Sequence, residues 1–382
     1  MKARRGLLNP GGWLAVAIAI LALAGASGCG QDQTTGATGT TATQAATVTA
    51  PPYLRRQIAY FKGLTEPRPE AWQDVVADAV RLKGDGINTV TVEPPVLISQ
   101  RAGRQQAVIL QGQAATAATM IDQLHQAGLA VSVIPSTKSP GLKSGVDASD
   151  AVLGQLNADV LKWAGMAEQK QAELFAPLDD YNLVLGTDKG DAWSKQILPQ
   201  IRQHFHGLIA AKVVPDVGAP PPKGAPHDFE RLDYRGYDYL MLDIYPTGAG
   251  AGPPAGATTT TTGFNQADFT AYVDDLMNRA NAIVKRDGLK GVIVQFGSWR
   301  EPAASELPDG PLLGAAGQAD MAANLLQQVM PQTRGVFYHG WTLPGRGAKG
   351  FPVEETLSKY FGGTGPPAAT KTATTGTGKT TP

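Results

Sequence analysis

Short apolar runs alternate along this chain with longer stretches in which apolar residues return every three or four positions. The runs lie at 57–63 (Q-I-A-Y-F-K-G), 86–93, 129–135, 172–176, 208–214, 237–245, 291–297 and 335–341. Their length and their content of Val, Ile, Leu, Phe and Tyr predict eight buried strands. Between the first two, residues 70–83 place Trp72, Val75, Val76, Ala79 and Leu82 on one face, the stripe of an amphipathic helix. The same spacing predicts helices at 115–127, 150–169, 191–206, 266–286, 318–330 and 353–361. Pro199 falls inside the helix at 191–206 and predicts a kink or a later start there, since proline brings no N–H and crowds the preceding turn. Three stretches lack either period. Around Arg101, Arg104 and Gln105 the chain reads as a long polar loop. Residues 215–236 carry Pro220, Pro221, Pro222 and Pro226. Residues 246–263 are rich in Gly, Pro and Thr and form a candidate lid.

Strands that alternate with helices imply a parallel sheet. Eight such units over residues 53–361 predict an α/β fold, a single-domain (β/α)₈ TIM barrel with insertions. The alternative is an open, doubly wound sheet. Against it, Lys62-Gly63-Leu64 after the first strand lacks the spacing of a phosphate-binding loop.

Charge and composition narrow the address. Lys+Arg and Asp+Glu both number 33, so there is no polyelectrolyte signature and no nucleic-acid partner is expected. Residues 1–28 read as a signal peptide, with Lys2, Arg4 and Arg5 ahead of an apolar segment from Trp13 to Leu23. Ala26-Ser27-Gly28-Cys29 resembles a bacterial lipobox, with Ala26 where leucine is usual. That resemblance implies a lipid on Cys29, anchorage in the membrane and an extracytoplasmic location; the alternative is an ordinary cleaved signal or an uncleaved anchor. Cys29 is the sole cysteine, so no intrachain disulfide can form. Residues 29–52 and 362–382 are Thr-, Ala- and Gly-rich and read as a flexible tether and a disordered tail. His125, His204, His206, His227 and His339 are scattered, so no metal and no cofactor is expected.

In a barrel, chemistry gathers at the C-terminal ends of the strands. Read in order, those ends offer Lys62, Glu93, Ser136 with Lys138, Asp179 with Asp180, Lys212, Asp243 with Tyr245, Gln295 with Trp299, and His339 with Trp341. The three lysines can equally be loop residues facing water. The aromatic residues suit a sugar, whose ring stacks on a flat face while its hydroxyls take polar partners, or they pack within loops. The paired carboxylates at 179 and 180 suit acid/base work.

With these segments in view, the chain resembles the clan of retaining (β/α)₈ glycoside hydrolases. The segments are F-A-P-L-D-D-Y at the fourth strand exit, L-D-I-Y-P at the sixth, V-I-V-Q-F-G-S-W at the seventh and Y-H-G-W at the eighth. The resemblance implies a proton donor on the fourth strand and a nucleophilic carboxylate on the seventh. Asp180 matches the first position, with Asp179 where the clan carries asparagine. Gln295 occupies the second, and an amide cannot form the glycosyl-enzyme ester. Glu301, six residues on, is a substitute carboxylate for a retaining pair, or for an inverting one at wider separation. Lys62, Glu93, Asp243, Tyr245, Trp299, His339 and Trp341 are the expected substrate-binding set. The reading is a glycoside hydrolase-like lipoprotein acting on a β-linked poly- or oligosaccharide. The alternatives are a catalytically degenerate carbohydrate-binding barrel and a structural lipoprotein without a ligand.

Overall fold

A computed structural model describes residues 53–101, 104–109, 111–137, 149–217, 221–222, 224–246, 265–301 and 311–363. Ten strands are present among them: β1 (Phe61–Glu66), β2 (Thr89–Val92), β3 (Val96–Arg101), β4 (Arg104–Ile109), β5 (Ala130–Val133), β6 (Leu174–Phe175), β7 (Leu208–Val213), β8 (Tyr239–Ile244), β9 (Gly291–Phe296) and β10 (Gly335–His339). Eight of them pair in parallel in the order β1, β2, β5, β6, β7, β8, β9, β10, and β10 closes on β1. The fold is therefore a closed (β/α)₈ barrel, and the open sheet is excluded.

Alternation along each strand separates two cores. Phe61, Ile134, Leu174, Ala176, Ala210, Tyr239, Met241, Ile293 and Phe337 fill the barrel interior. Their odd-step neighbours, such as Val90, Val131, Phe175 and Val294, pack outward against the helices. The helices are α1 (Trp72–Ala77), α2 (Ala79–Gly84), α3 (Gln111–Gln126), α4 (Asp150–Gln169), α5 (Tyr181–Leu185), α6 (Thr187–His204), α7 (Gln266–Asp287), α8 (Gly314–Val329) and α9 (Pro352–Phe361). Their ends follow capping chemistry. The Asn265 side chain accepts from the N–H groups of Ala267 and Asp268 to open α7, and Gly288, at φ 72°, closes it. Pro352 supplies the first turn of α9.

Four expectations are corrected. The first strand lies later than 57–63, because the chain stays extended to Glu66 and only Pro67 stops it. The polar stretch around Arg104 is not a loop: β3 and β4 pair antiparallel from Val96↔Ile109 to Arg101↔Arg104. The helix at 70–83 breaks at Asp78, whose carboxylate accepts from Trp341 Nε1 at 2.7 Å and pairs with Lys349 at 2.6 Å. The helix around Pro199 starts at Thr187, earlier than 191, and runs through the proline. The candidate lid, from 247 on, lies outside the described residues, as do the signal segment, Cys29, the tether, Lys138 and the tail beyond 363.

Candidate active site

β7 sets the centre of the site. Ala210 faces the interior, so Lys212, two residues on, faces it too. Lys212 is wholly buried, and its ammonium reaches three carboxylates: Asp243 Oδ2 at 2.7 Å, Asp180 Oδ1 at 3.3 Å, and Asp179. An ammonium has three hydrogens, and each has a carboxylate to meet. Oxygens of Asp179, Asp180 and Asp243 lie within 4.8 Å of one another. That spacing would suit a hard cation, and here the lysine itself supplies the positive charge.

The two aspartates are delivered by an abrupt strand end. β6 has only two paired residues before Pro177, which cannot extend the ladder. The backbone N–H of Asp179 donates to Pro135 O at 2.8 Å, and Ser136 Oγ donates to Asp179 Oδ2 at 2.9 Å. Asp180 then takes the left-handed conformation, φ 47° and ψ 50°, at the start of α5. Aspartate tolerates this region better than most residues, yet such backbone strain is held in place only by its surroundings. Its carbonyl accepts from the N–H groups of Leu183 and Val184, and Lys212 holds its carboxylate. Both aspartates keep about a fifth of their side chains exposed, 22% and 17%, so ligand can reach them.

β8, β9, β10 and β1 complete the wall. Asp243 and Gln295 are register partners, as are Thr65 and His339. Gln295 is buried and bonded at both ends of its amide. Thr65 Oγ1 donates to its Oε1 at 2.8 Å, while its Nε2 donates to Asp243 Oδ2 and to the Tyr245 hydroxyl, each at 3.2 Å. Tyr245 in turn bonds His339 Nδ1 at 2.8 Å. One network thus runs from Asp180 through Lys212 and Asp243 to Gln295, Tyr245 and His339.

Three carboxylates around one ammonium leave an excess of negative charge out of water. Burial, with the charge of Asp179 adding to it and Lys212 opposing it, pushes the Asp180 carboxyl up to about 6. Asp243 is held well above the usual carboxylate range by burial and by Asp180. Burial alone would lower Lys212, but the charges of Asp179, Asp180 and Asp243 reverse this and hold it well above its ordinary value. The lysine is thus held as the cation of the cluster. Because Asp180 ionises less readily in the folded chain than in the unfolded one, its contribution to stability is complete below about pH 4. It is lost as pH rises through about 6. Asp180→Asn is therefore expected to unfold at higher urea than the parent at pH 8, by about 2 kcal/mol, and to lose that advantage near pH 4. Urea titrations at both pH values check this; an equal difference at both would refute it.

The structure sorts the residues expected from sequence. Asp179, Asp180, Asp243, Tyr245, Gln295 and His339 come together at the mouth, and Glu93 is buried just past the end of β2. Lys62 does not join them. Its Nζ donates to Phe361 O at 2.6 Å, because β1 runs four residues further and its exit belongs to Thr65 and Glu66. Trp341 and Trp299 are buried and offer no stacking face. Trp341 is bound to Asp78 through its indole N–H, and the Arg346 guanidinium covers the Trp299 ring at 3.8 Å. Glu301 is exposed and pairs with Arg300 at 3.0 Å. Two residues were missed. Thr65 could have been found only from the true end of β1. Glu66 accepts from the N–H groups of Trp341 and Thr342 and pins the loop after β10.

No protein-family model matches the chain, and no curated protein matches it. Solved structures do. One is a GH113 β-1,4-mannanase, with TM-score 0.60 and 15% identity over 80% of this chain and 99% of that one. A second is the GH113 β-mannanase of Alicyclobacillus acidocaldarius, with TM-score 0.55 and 14% identity over 80% and 98%. A third is a glycoside hydrolase family 5 mannosidase of Rhizomucor miehei, with TM-score 0.51 and 10% identity over 80% and 93%. At these identities the likeness establishes the fold.

Proposed function

We propose that this barrel binds a β-linked oligo- or polysaccharide at its C-terminal mouth and does not run the two-step displacement of retaining glycoside hydrolases. The carrying observation is Gln295. Where the resemblance to that clan expects a nucleophilic carboxylate, this chain has a neutral amide bonded to Thr65, Asp243 and Tyr245. The fold shared with β-mannanases supports a glycan as ligand. So do Asp179 and Asp180, reachable acceptors of the kind sugar hydroxyls bind. Lipidation of Cys29 would hold the barrel at the outer side of a membrane.

One observation favours a second reading, hydrolysis with Asp180 as general acid. A carboxyl held up to about 6 keeps a share of its protons at near-neutral pH, as a proton donor must. Gel retardation on β-mannan, β-glucan and β-galactan, run beside reducing-sugar release, separates the two. The proposal expects retardation without release. Release by the parent protein, abolished in Asp180→Asn, would replace it with the second reading. Gln295→Glu adds the missing carboxylate; hydrolysis gained there would mark a degenerate retaining site.

A further inference from the structure

A cavity of about 350 Å³ opens beside the mouth, within the range of small-ligand sites. Its lining among the described residues comes from the segments that follow β9 and β10, including Arg300, Glu301, Leu343, Pro344, Lys349 and Phe351. It therefore lies on the same face of the barrel as the carboxylate site but shares none of that network.

Arg300 is the unusual residue here. Its side chain is only 8% exposed, a costly position for a cation unless it is well paired. The guanidinium lies 3.3 Å from the Phe351 ring centre. Nη1 donates to Gly347 O at 3.2 Å and Nη2 to Glu301 at 3.0 Å, while the buried Nε has no partner among the described residues. The one carboxylate it meets among the described residues belongs to a side chain that is 60% exposed, so Glu301 can swing into water and yield its place to another carboxylate at little cost to itself. Lys349, half-buried and paired with Asp78, adds a second cation to the lining.

We infer that this cavity is a subsite for a carboxylate-bearing sugar, and that Glu301 occupies the carboxylate's place when no ligand is bound. The assignment rests on the glycan-binding reading and narrows it to an acidic glycan, one containing uronic acid residues. A guanidinium with a spare N–H matches a planar carboxylate. The apolar surfaces of Leu343, Pro344 and Phe351 suit the ring that bears it. Glu301 thus acts as an internal competitor, not as a catalytic carboxylate.

The test is calorimetric binding at fixed ionic strength of two β-1,4-linked probes, mannohexaose and hexamannuronate, which differ in the carboxylate at C6. The full chain is expected to bind the acidic probe about tenfold tighter. Glu301→Ala is expected to tighten hexamannuronate a further threefold or so, as removal of a competitor requires, and to change mannohexaose by less. Arg300→Gln is expected to erase the preference. Arg300 also holds Gly347, so should that variant fail to fold, the sign of the Glu301→Ala effect decides. Equal affinity for the two probes, or weaker acidic binding in Glu301→Ala, overturns the inference and leaves the glycan-binding reading standing. Binding of neither probe overturns the inference, and retardation on the mannan, glucan and galactan panel then decides the glycan-binding reading.

Discussion

Lys212→Met is expected to destabilise the protein by about 3–5 kcal/mol at neutral pH, the cost of removing one partner from a buried charge cluster. Methionine matches the length and flexibility of the lysine stem, so packing is largely kept. What is lost is the cation that meets Asp179, Asp180 and Asp243 together. Without it Asp180 and Asp243 can stay in place only by taking up protons, and their folded-state pKa values rise further. The sign with pH follows. Below about pH 4 Asp180 and Asp243 take up protons whether the chain is folded or not, and most of the deficit vanishes; as pH rises it grows. Chemical denaturation from pH 4 to pH 8 measures it. A loss that does not change with pH would mean that Lys212 matters for its bulk and not for its charge.

Gly63→Ala is expected to cost about 3 kcal/mol. Gly63 and Phe337 are register partners on β1 and β10, and the Phe337 ring lies across the glycine. A Cβ there would come within 2.1 Å of the ring, far inside van der Waals contact. The ring has nowhere to go, since Phe61, Tyr239 and Ile293 fill the interior around it. Relief requires a backbone shift between the strands that carry Thr65 and His339, so the mouth would be disturbed as well. Thermal unfolding of the variant is the check. A double variant with Phe337→Leu should recover part of the loss, whereas no recovery would place the strain elsewhere.

Much of this architecture is legible in the sequence because a barrel strand is a short apolar run wherever it occurs. All eight barrel strands overlap such runs, the first only at 61–63, and their number agrees with the closed ring. The β3–β4 hairpin was hidden because its middle, Ser99 to Gln106, is polar, and pairing of polar strands leaves no apolar alternation to read. Lys212 was readable in principle: in L-I-A-A-K-V the alternation that buries Ala210 must also bury the lysine. It was obscured because a lysine near a strand end is so often solvated. Trp299 and Trp341 were misjudged for a different reason. Their burial depends on Arg346 and on Asp78 and Arg81, residues remote in sequence or on another element, and nothing within the aromatic's own segment announces such a lid.

The two ends of the described chain share one address. Tyr53 stacks on His125 at 3.7 Å and its hydroxyl bonds Glu173, just ahead of β6; Arg56 reaches Gly128 O, just ahead of β5. Phe361 O receives Lys62 near the start of β1. Both contacts belong to the side where the barrel strands begin. A linker or label grafted at Tyr53 or at Phe361 would therefore start on the face opposite Asp179 and Asp180, away from the strand exits.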